Sequence, residues 1–341
     1  MTYLDAPILA FSIDCSLIGG EKSLKGYVLK RILYLIPTLI GASILIFFLY
    51  SLVPGNFIDS DPNLTIERKA ELYALYGFDQ PDIKRYFIWI GNLLQGDLGY
   101  SLQFQRPVVE VLGNYIWSSF IVALASLVLT WVIAVIIGIV SATRQYSLFD
   151  SISTVLVFAA MATPSFFLGL IVIKFFSVDL GWLPAGGKIT TGSNYTGWAY
   201  FKDIAEHMVL PVLVLTMLGI GGLARYFRTN MLEVIKQDFV RTARAKGLKE
   251  KVVIYKHALR NALLPAITLF GFELPALFSG AIITEQIFNW PGIGAIYMQA
   301  FSVRDYPLLM GFTMFIALLT VISNLLADLL YGVADPRVRL K

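Results

Sequence analysis

Six stretches of this chain are apolar over enough residues to cross about 30 Å of hydrocarbon, and that constrains its fold more than any other feature. They fall at about 32–53, 115–140, 151–176, 207–224, 264–288 and 307–332, the fourth being the shortest. Inside lipid a backbone must satisfy its own hydrogen bonds, so each stretch is expected to be a helix. The predicted fold class is an all-α membrane protein with six transmembrane helices. Composition agrees: of 341 residues, 57% are hydrophobic and 15% charged, too little polar surface for a soluble domain of this length. The net charge of +4 reflects loop charges and not a nucleic-acid footprint. A single cysteine, Cys15, excludes an intrachain disulfide and a Cys-rich metal site. His207 and His257 fall in opposite predicted loop regions, which argues against a His-based metal centre.

Six spans put both termini on one side, and the distribution of Lys and Arg says which. Lys22, Lys25, Lys30, Arg31, Arg144, the run from Arg225 to Arg260, and Arg337, Arg339 and Lys341 share the side of the termini. Arg68, Lys69, Lys84, Arg85, Arg106, Lys188, Lys202 and Arg304 lie opposite, most of them in one long loop that also holds many acids. The excess predicts N-in, C-in topology. Residues 1–26 read as an N-terminal extension, because no basic residue precedes the short apolar run Ala6 to Ile13 as a cleaved signal peptide requires. The first outer region, 54–114, is patterned enough for a small cap, with amphipathic helices expected at Ile66 to Tyr76 and Tyr86 to Leu94. Trp290-Pro-Gly-Ile-Gly294 predicts a tight turn or a short re-entrant piece. Two sequons, at Asn63 and Asn194, fall in predicted outer loops and support the topology only weakly.

The most polar segment runs from Asp238 to Pro265. Asp238 is suited to cap a helix N-terminus, a helix is expected from Phe239 to Lys246, and Gly247 stands where a left-handed residue ends one. A second helical pattern starts near Lys249. A short basic helix carrying a small residue, Ala243, suits a knob pushed into a groove on a partner protein; on composition alone it is also an ordinary basic cytoplasmic loop.

Catalytic machinery is missing. Gly181 to Lys188 lacks Walker A spacing, and Ile189 stands where Ser or Thr should hold magnesium. Ser165 and Ser279 have no histidine placed at mid-membrane to activate them. Lys174, Glu273, Glu285 and Asp328 lie in or near spans, where charge is expensive and tends to face the bundle interior. Lys174 can snorkel, and Glu285 is close to the outer boundary. Glu273, followed by Pro275, and Asn324, one turn before Asp328, are the candidates for a translocation path; packing or inter-subunit hydrogen bonding is the other reading.

Arg241-Thr-Ala-Arg-Ala-Lys-Gly247, followed by His257-Ala-Leu-Arg-Asn-Ala-Leu-Leu-Pro265, resembles the cytoplasmic EAA-type loop of prokaryotic ABC importer permeases. The version is that of the dipeptide/oligopeptide/nickel branch, with Arg241-Thr-Ala243 for Glu-Ala-Ala and His257-Ala-Leu-Arg260 for Ile-x-Leu-Pro. Tyr76-Gly-Phe-Asp-Gln-Pro81, Gly96-Asp-Leu-Gly-Tyr-Ser101, Phe288-Asn-Trp-Pro-Gly-Ile-Gly294, Arg304-Asp-Tyr-Pro307 and Asp335-Pro-Arg-Val-Arg339 follow the B-type permease subunit in order. The turn at Pro54-Gly55 departs from Pro-Gly-Asp-Pro, since Asn56-Phe57 follow.

The resemblance implies a type I ABC importer permease spanning 27–341 in the cell membrane, with a coupling loop at 225–262. It implies one half of a heterodimeric path working by alternating access. Its partners would be a second, C-type permease, two ATP-binding subunits that carry ATP and Mg, and an external substrate-binding protein. No cofactor or catalysis is implied for this chain itself. Asp238, Arg241, Thr242, Ala243, Arg244, Ala245, Lys246 and Gly247 would form the ATPase-coupling surface, with Ala243 and Gly247 at the contact. Peptides are the expected cargo, and oligosaccharides or nickel chelates are carried by other members of the branch. A self-sufficient secondary carrier or channel is the rival reading, and it would need an ion site beyond the scattered acids.

Overall fold

The computed structural model describes residues 24–55, 57–60, 64–75, 77–263, 265–273 and 275–334. In chain order, α1 is Leu24–Ser51, α2 Phe57–Ser60, α3 Ile66–Leu75 and α4 Asp82–Leu94. Strands β1 (Tyr100–Ser101) and β2 (Arg106–Pro107) form an antiparallel pair with Tyr100 opposite Pro107. Then come α5 (Val108–Thr143), α6 (Leu148–Ala162) and α7 (Ser165–Val172), which continues as a π-helical turn at Ile173–Asp179. Next are α8 (Trp198–Ile235), α9 (Asp238–Ala245) and α10 (Glu250–Val252), a π-helical turn Val253–Ala258, and α11 (Leu259–Ala262). The chain closes with α12 (Ala266–Glu273), α13 (Ala276–Ser279), α14 (Ile282–Ile287), α15 (Ile293–Val303) and α16 (Tyr306–Ala334). The 1–23 part of the extension, the Asn63 sequon, Tyr76, the side chain of Asp328 and the 335–339 motif lie outside what is described.

Four expected spans are single helices long and apolar enough to cross a membrane, within α1, α5, α8 and α16. Two are not continuous. The stretch at 151–176 breaks between α6 and α7, which meet at 107°. Pro164 lacks the N–H that would continue the helix and holds Thr163 extended, at φ −85° and ψ 124°. The stretch at 264–288 divides into α12, α13 and α14, with Pro275 opening α13 and Gly280 in the left-handed region at φ 72°.

The long pair α5 and α8 is the spine. Ser126, Thr130, Ala134, Gly138 and Ala142 recur every fourth residue on α5, and all are buried. Without bulky side chains the two backbones close to direct contact, the route by which helices associate in lipid. A Cβ on Gly138 would stand 2.5 Å from the Phe227 Cβ, and one on Gly219 would stand 2.9 Å from Thr130 Cγ2.

The broken segments step along this spine. Asp150 pairs with Arg228, Val157 packs with Ala224 and Phe227, and Leu168 and Val172 pack with Leu210 and Val214. From the other direction, Ala262 packs with Ile139 and Ala142, Ala266 with Ala134, Glu285 meets Ser119, and Trp290 packs on Val122.

At the opposite end from α9, α1, α5 and α16 converge. The Tyr50 and Tyr306 rings meet at a tilt, with centroids 5.9 Å apart, and Val108, Val111 and Leu112 pack with Leu308, Leu309 and Phe312. Buried Asp305 takes the Ser101 hydroxyl at 2.6 Å and the Gln103 N–H at 3.1 Å, tying the hairpin to the start of α16. Arg304, left-handed at φ 59°, donates to the Pro54 carbonyl at 2.7 Å. Helix α4 lies along α1 through Tyr86, which hydrogen-bonds Ser43 at 3.0 Å, and through Trp89 against Phe47. Its exposed Ile83, Phe87, Ile88 and Leu94 suit an interfacial helix.

The Asp150–Arg228 pair is bidentate, with both bonds at 2.8 Å, and the Asp150 side chain is buried. Asp150→Ala strands the guanidinium and should cost about 3 kcal/mol, the low end for a broken buried pair because Arg228 keeps some contact with water. A thermal-unfolding midpoint in detergent equal to that of the wild type would contradict this.

Candidate functional site

The segment after α8 folds back onto the end of the spine. Gln237 is extended and precedes α9, while Asp238 is the first helical residue, so the helix begins one position earlier than its sequence suggests. Asp238 does not act as the N-cap; at the first turn its carboxylate still complements the helix dipole, and it meets Arg241 Nη1 at 3.4 Å. Gly247 is left-handed at φ 75° and its N–H donates to the Arg244 carbonyl at 2.9 Å, closing the helix. The second helical piece starts at Glu250, and Arg244 holds it bidentately, at 2.7 and 3.2 Å. The Arg244 hydrogen bond keeps the Glu250 carboxyl below the usual carboxylate range.

Val240 and Ala243 point inward. They are buried with Ile139 and Ala142 of α5, Met231 of α8, and Val253, Ile254 and Ala258. The expectation that Ala243 meets a partner is therefore corrected: its small side chain lets α9 approach this chain's own helices. Outward stand Asp238, Arg241, Thr242, Ala245, Lys246 and Gly247, together with Phe239 and Leu248. Tyr255 on the neighbouring π turn is 57% exposed. The result is a rigidly backed knob with a basic, partly aromatic outer face.

Glu273 lines a cavity of about 230 Å³ between α5, α8 and the broken α12–α13 segment. Ser126, Thr130 and Ser279 supply hydroxyls there, and Glu273 is the only ionisable residue of the lining among the described residues. Asn324 is not part of this wall. It sits on α16 with its side-chain oxygen buried and without a hydrogen-bond partner among the described residues.

The least expected feature is Glu285, which is 3% exposed. Its Oε1 accepts from Ser119 Oγ at 2.6 Å and from the Ala281 N–H at 3.2 Å; its Oε2 accepts from the Ala295 N–H at 3.0 Å. Ser119 Oγ in turn accepts the Ile293 N–H at 2.8 Å, and Trp290 Nε1 donates to the Ser118 carbonyl at 3.0 Å. A Cβ on Gly292 would stand 2.4 Å from Glu285 Cδ, and one on Gly294 would stand 3.0 Å from Oε2. The Trp-Pro-Gly-Ile-Gly run is thus a cradle for one carboxylate, and it binds the far end of the broken segment to α5. Lys188, at the end of the glycine-containing loop from Gly181, donates to Ser118 Oγ at 2.8 Å.

A chain of the MetNI methionine ABC transporter, solved in inward-facing conformations, has the same fold. The two superpose with a TM-score of 0.50 at 17% identity, over 67% of this chain and 97% of that one. Residues 134–340 match the model of the family described as binding-protein-dependent transport system inner membrane component, and the chain belongs to that family. It is 40% identical over 315 residues to the oligopeptide transport system permease protein AppB of Bacillus subtilis, covering 92% of this chain and 98% of that one. It is also 36% identical over 330 residues to the di/tripeptide transport system permease protein DppB of Pseudomonas aeruginosa, covering 92% and 98%. To the dipeptide transport system permease protein DppB of Escherichia coli K12 it is 33% identical over 335 residues, covering 92% and 99%.

Gly292→Ala must push the Glu285 carboxylate out of its cradle. A loss of about 1–3 kcal/mol is expected, as for other overpacked interiors. Thermal unfolding of the detergent-solubilised chain checks it; an unshifted midpoint would mean that the cradle is not tightly packed.

Proposed function

We propose that this chain is one of two permease subunits of an ATP-driven importer for di- and oligopeptides. The observation that carries the reading is near full-length similarity to permeases named for oligopeptide, di/tripeptide and dipeptide transport. Those names favour peptides over oligosaccharides. The path is shared with a second, C-type permease. Two ATP-binding subunits supply the energy and an external binding protein delivers the cargo.

In this reading the chain crosses the membrane six times with both termini inside. Support comes from the contacts along the spine. Broken segment α6–α7 meets α8 from Arg228 to Leu210, about 27 Å of helix at 1.5 Å per residue. Segment α12–α14 runs from the level of Ala134 on α5 to that of Ser119. The basic segment at the α9 end then faces the cytoplasm under the positive-inside rule. Residues 54–114 form the outer cap, and Asn194 lies in an exposed outer loop.

The outer face of α9 docks on an ATPase subunit. Phe239, with Arg241, Thr242, Ala245 and Lys246 around it, makes the contact. Ala243 and Val240 hold the helix to the spine, and Gly247 ends it without a strained backbone. Closure of the ATPase pair then moves α9 and the spine together, switching the path between inward- and outward-open states. Glu273 lines the path and offers a passing peptide a carboxylate for its ammonium group. Asn324 offers a buried carbonyl oxygen toward cargo or the second permease. The rival reading, a self-sufficient carrier, finds no support in a cavity with a single acid.

The test is ATP turnover by the chain reconstituted with its neighbouring permease, ATPases and binding protein. Peptides should stimulate turnover and oligosaccharides should not. Phe239→Ala should cut the stimulation about ten-fold, the effect of losing one 1.4 kcal/mol contact at an interface anchor, with thermal stability unchanged. Ala243→Leu should instead destabilise the chain by about 1–3 kcal/mol through overpacking. ATP-independent uptake by the chain alone would contradict the proposal.

A further inference from the structure

Near the α9 end, α6 and α8 flank a polar cleft of about 340 Å³, with Ile137 and Ser141 of α5 beside them. Thr154 and Phe158, one turn apart, come from α6. Arg225, Arg228 and Thr229 come from one face of α8, at the three- and four-residue spacing that makes neighbours on a helix. Arg225 lies about 15 Å before the end of α8, at 1.5 Å per residue. Thr154, Arg225 and Thr229 are exposed, so the cleft is open to what surrounds the protein.

The cleft holds more positive charge than the chain balances. No carboxylate lines it among the described residues. Asp150 takes Nε and Nη2 of Arg228 at 2.8 Å each, which neutralises that residue and leaves Nη1 without a hydrogen bond among the described residues. Arg225 has no ion pair or hydrogen bond among the described residues. Its guanidinium stands 5.8 Å from the Phe158 ring centroid, a contact that positions the cation and leaves its charge in place. The Thr154 and Thr229 hydroxyls also make no hydrogen bond among the described residues. A helical threonine can bond back to the carbonyl four residues earlier, as Thr143, Thr313 and Thr320 do here, so two free hydroxyls in one cleft are donors in reserve. Guanidinium and hydroxyl donors from two helices, with the local acid already spent, are partners for an oxyanion. Phosphate takes several donors at once and matches the guanidinium fork.

We propose that this cleft binds one phosphate group, its oxygens accepting from Arg225, Thr154, Thr229 and Nη1 of Arg228. The ligand bridges α6 to α8 beside the Asp150–Arg228 pair and supplies the counter-charge that the chain leaves out. Its source is a soluble phosphate compound or an anionic lipid head at the membrane edge, which present the same oxygens. The site uses a different face of α8 from the Glu273 cavity, whose wall on that helix is Leu215, Gly219 and Leu223. The inference uses neither cargo nor ATPase docking, so it stands or falls separately from the function proposed above.

The full-length chain, purified in mild detergent and delipidated, would be titrated with inorganic phosphate, glycerol 3-phosphate, phosphatidylglycerol and diacylglycerol. Equilibrium dialysis reads the soluble compounds, native mass spectrometry reads the lipids, and the thermal midpoint reports on both. At least one phosphate compound should bind one per chain and raise the midpoint. Binding of the soluble phosphates would identify a free ligand, and binding of phosphatidylglycerol alone would identify a lipid head; either supports the site. Arg225→Gln should weaken binding about ten-fold, the equivalent of about 1.4 kcal/mol. Arg225→Lys should retain most of the affinity. Thr229→Asp puts a carboxylate one turn from Arg225 on the same face and should abolish binding with the arginine still present. That variant keeps the test open if Arg225→Gln fails to fold. The proposal is overturned if no phosphate compound binds, or if Arg225→Gln and Thr229→Asp both bind with wild-type affinity. Diacylglycerol matching phosphatidylglycerol would also overturn it, as would cross-linking of the Arg225 position to an acidic residue of the second permease, which would make the cleft a subunit contact.

Discussion

Gly138 leaves no room for a side chain. With Phe227 Cβ at 2.5 Å from where its own Cβ would stand, α5 and α8 meet backbone to backbone, and the remaining spans are arranged on that contact. Apolar side chains gain little from meeting each other in lipid, so close van der Waals contact has to hold the bundle together. The row of small residues from Ser126 to Ala142 supplies it over four helical turns. Two interrupted segments then lie on the spine, and each is fastened by a polar bond that lipid cannot replace. Arg228 receives α6 through Asp150, and Ser119 receives α14 through Glu285.

These fastenings explain how interrupted helices are tolerated at membrane depth. Irregular backbone survives there only where its polar groups are satisfied by protein. The Glu285 carboxylate does this for the Ala281 and Ala295 N–H groups at once, and Ser119 for that of Ile293. Gly280, Gly292 and Gly294 give the carboxylate space. The break near Pro275 also opens the wall beside Glu273, so the same irregularity that requires the cradle creates the cavity.

Helix positions were legible from apolar run length, because hydrocarbon thickness sets it. The interruptions were less so. Pro164 and Pro275 are visible in the sequence, yet proline occurs within α1 and α8 without ending either helix. What separates the cases is tertiary support, which a single sequence does not display. The end of α9 at Gly247 was readable from local chemistry, whereas the orientation of Ala243 was not, since a small residue permits close approach to any neighbour. Periodicity held the answer: Val240 and Ala243 are three apart and are the buried pair on an otherwise exposed helix. The Glu285 cradle was hidden because its partners lie 166 and 10 residues away in the chain. The four-residue spacing of small side chains on α5 was present in the sequence and is the signal that identifies the spine.

With Val240 and Ala243 set among Ile139, Ala142 and Met231, α9 is expected to travel with the spine as one body, which is how a push on its outer face would reach the translocation path. The most direct test is a spin-label distance between Thr242→Cys and Gln145→Cys, both exposed, in a Cys15→Ser background. It would be recorded in the assembled transporter with and without ATP. The distance should change by less than about 2 Å, the scale of small shifts between packed helices. A change approaching one helical turn, about 5.4 Å, would mean that α9 moves independently of the bundle, contradicting the rigid connection.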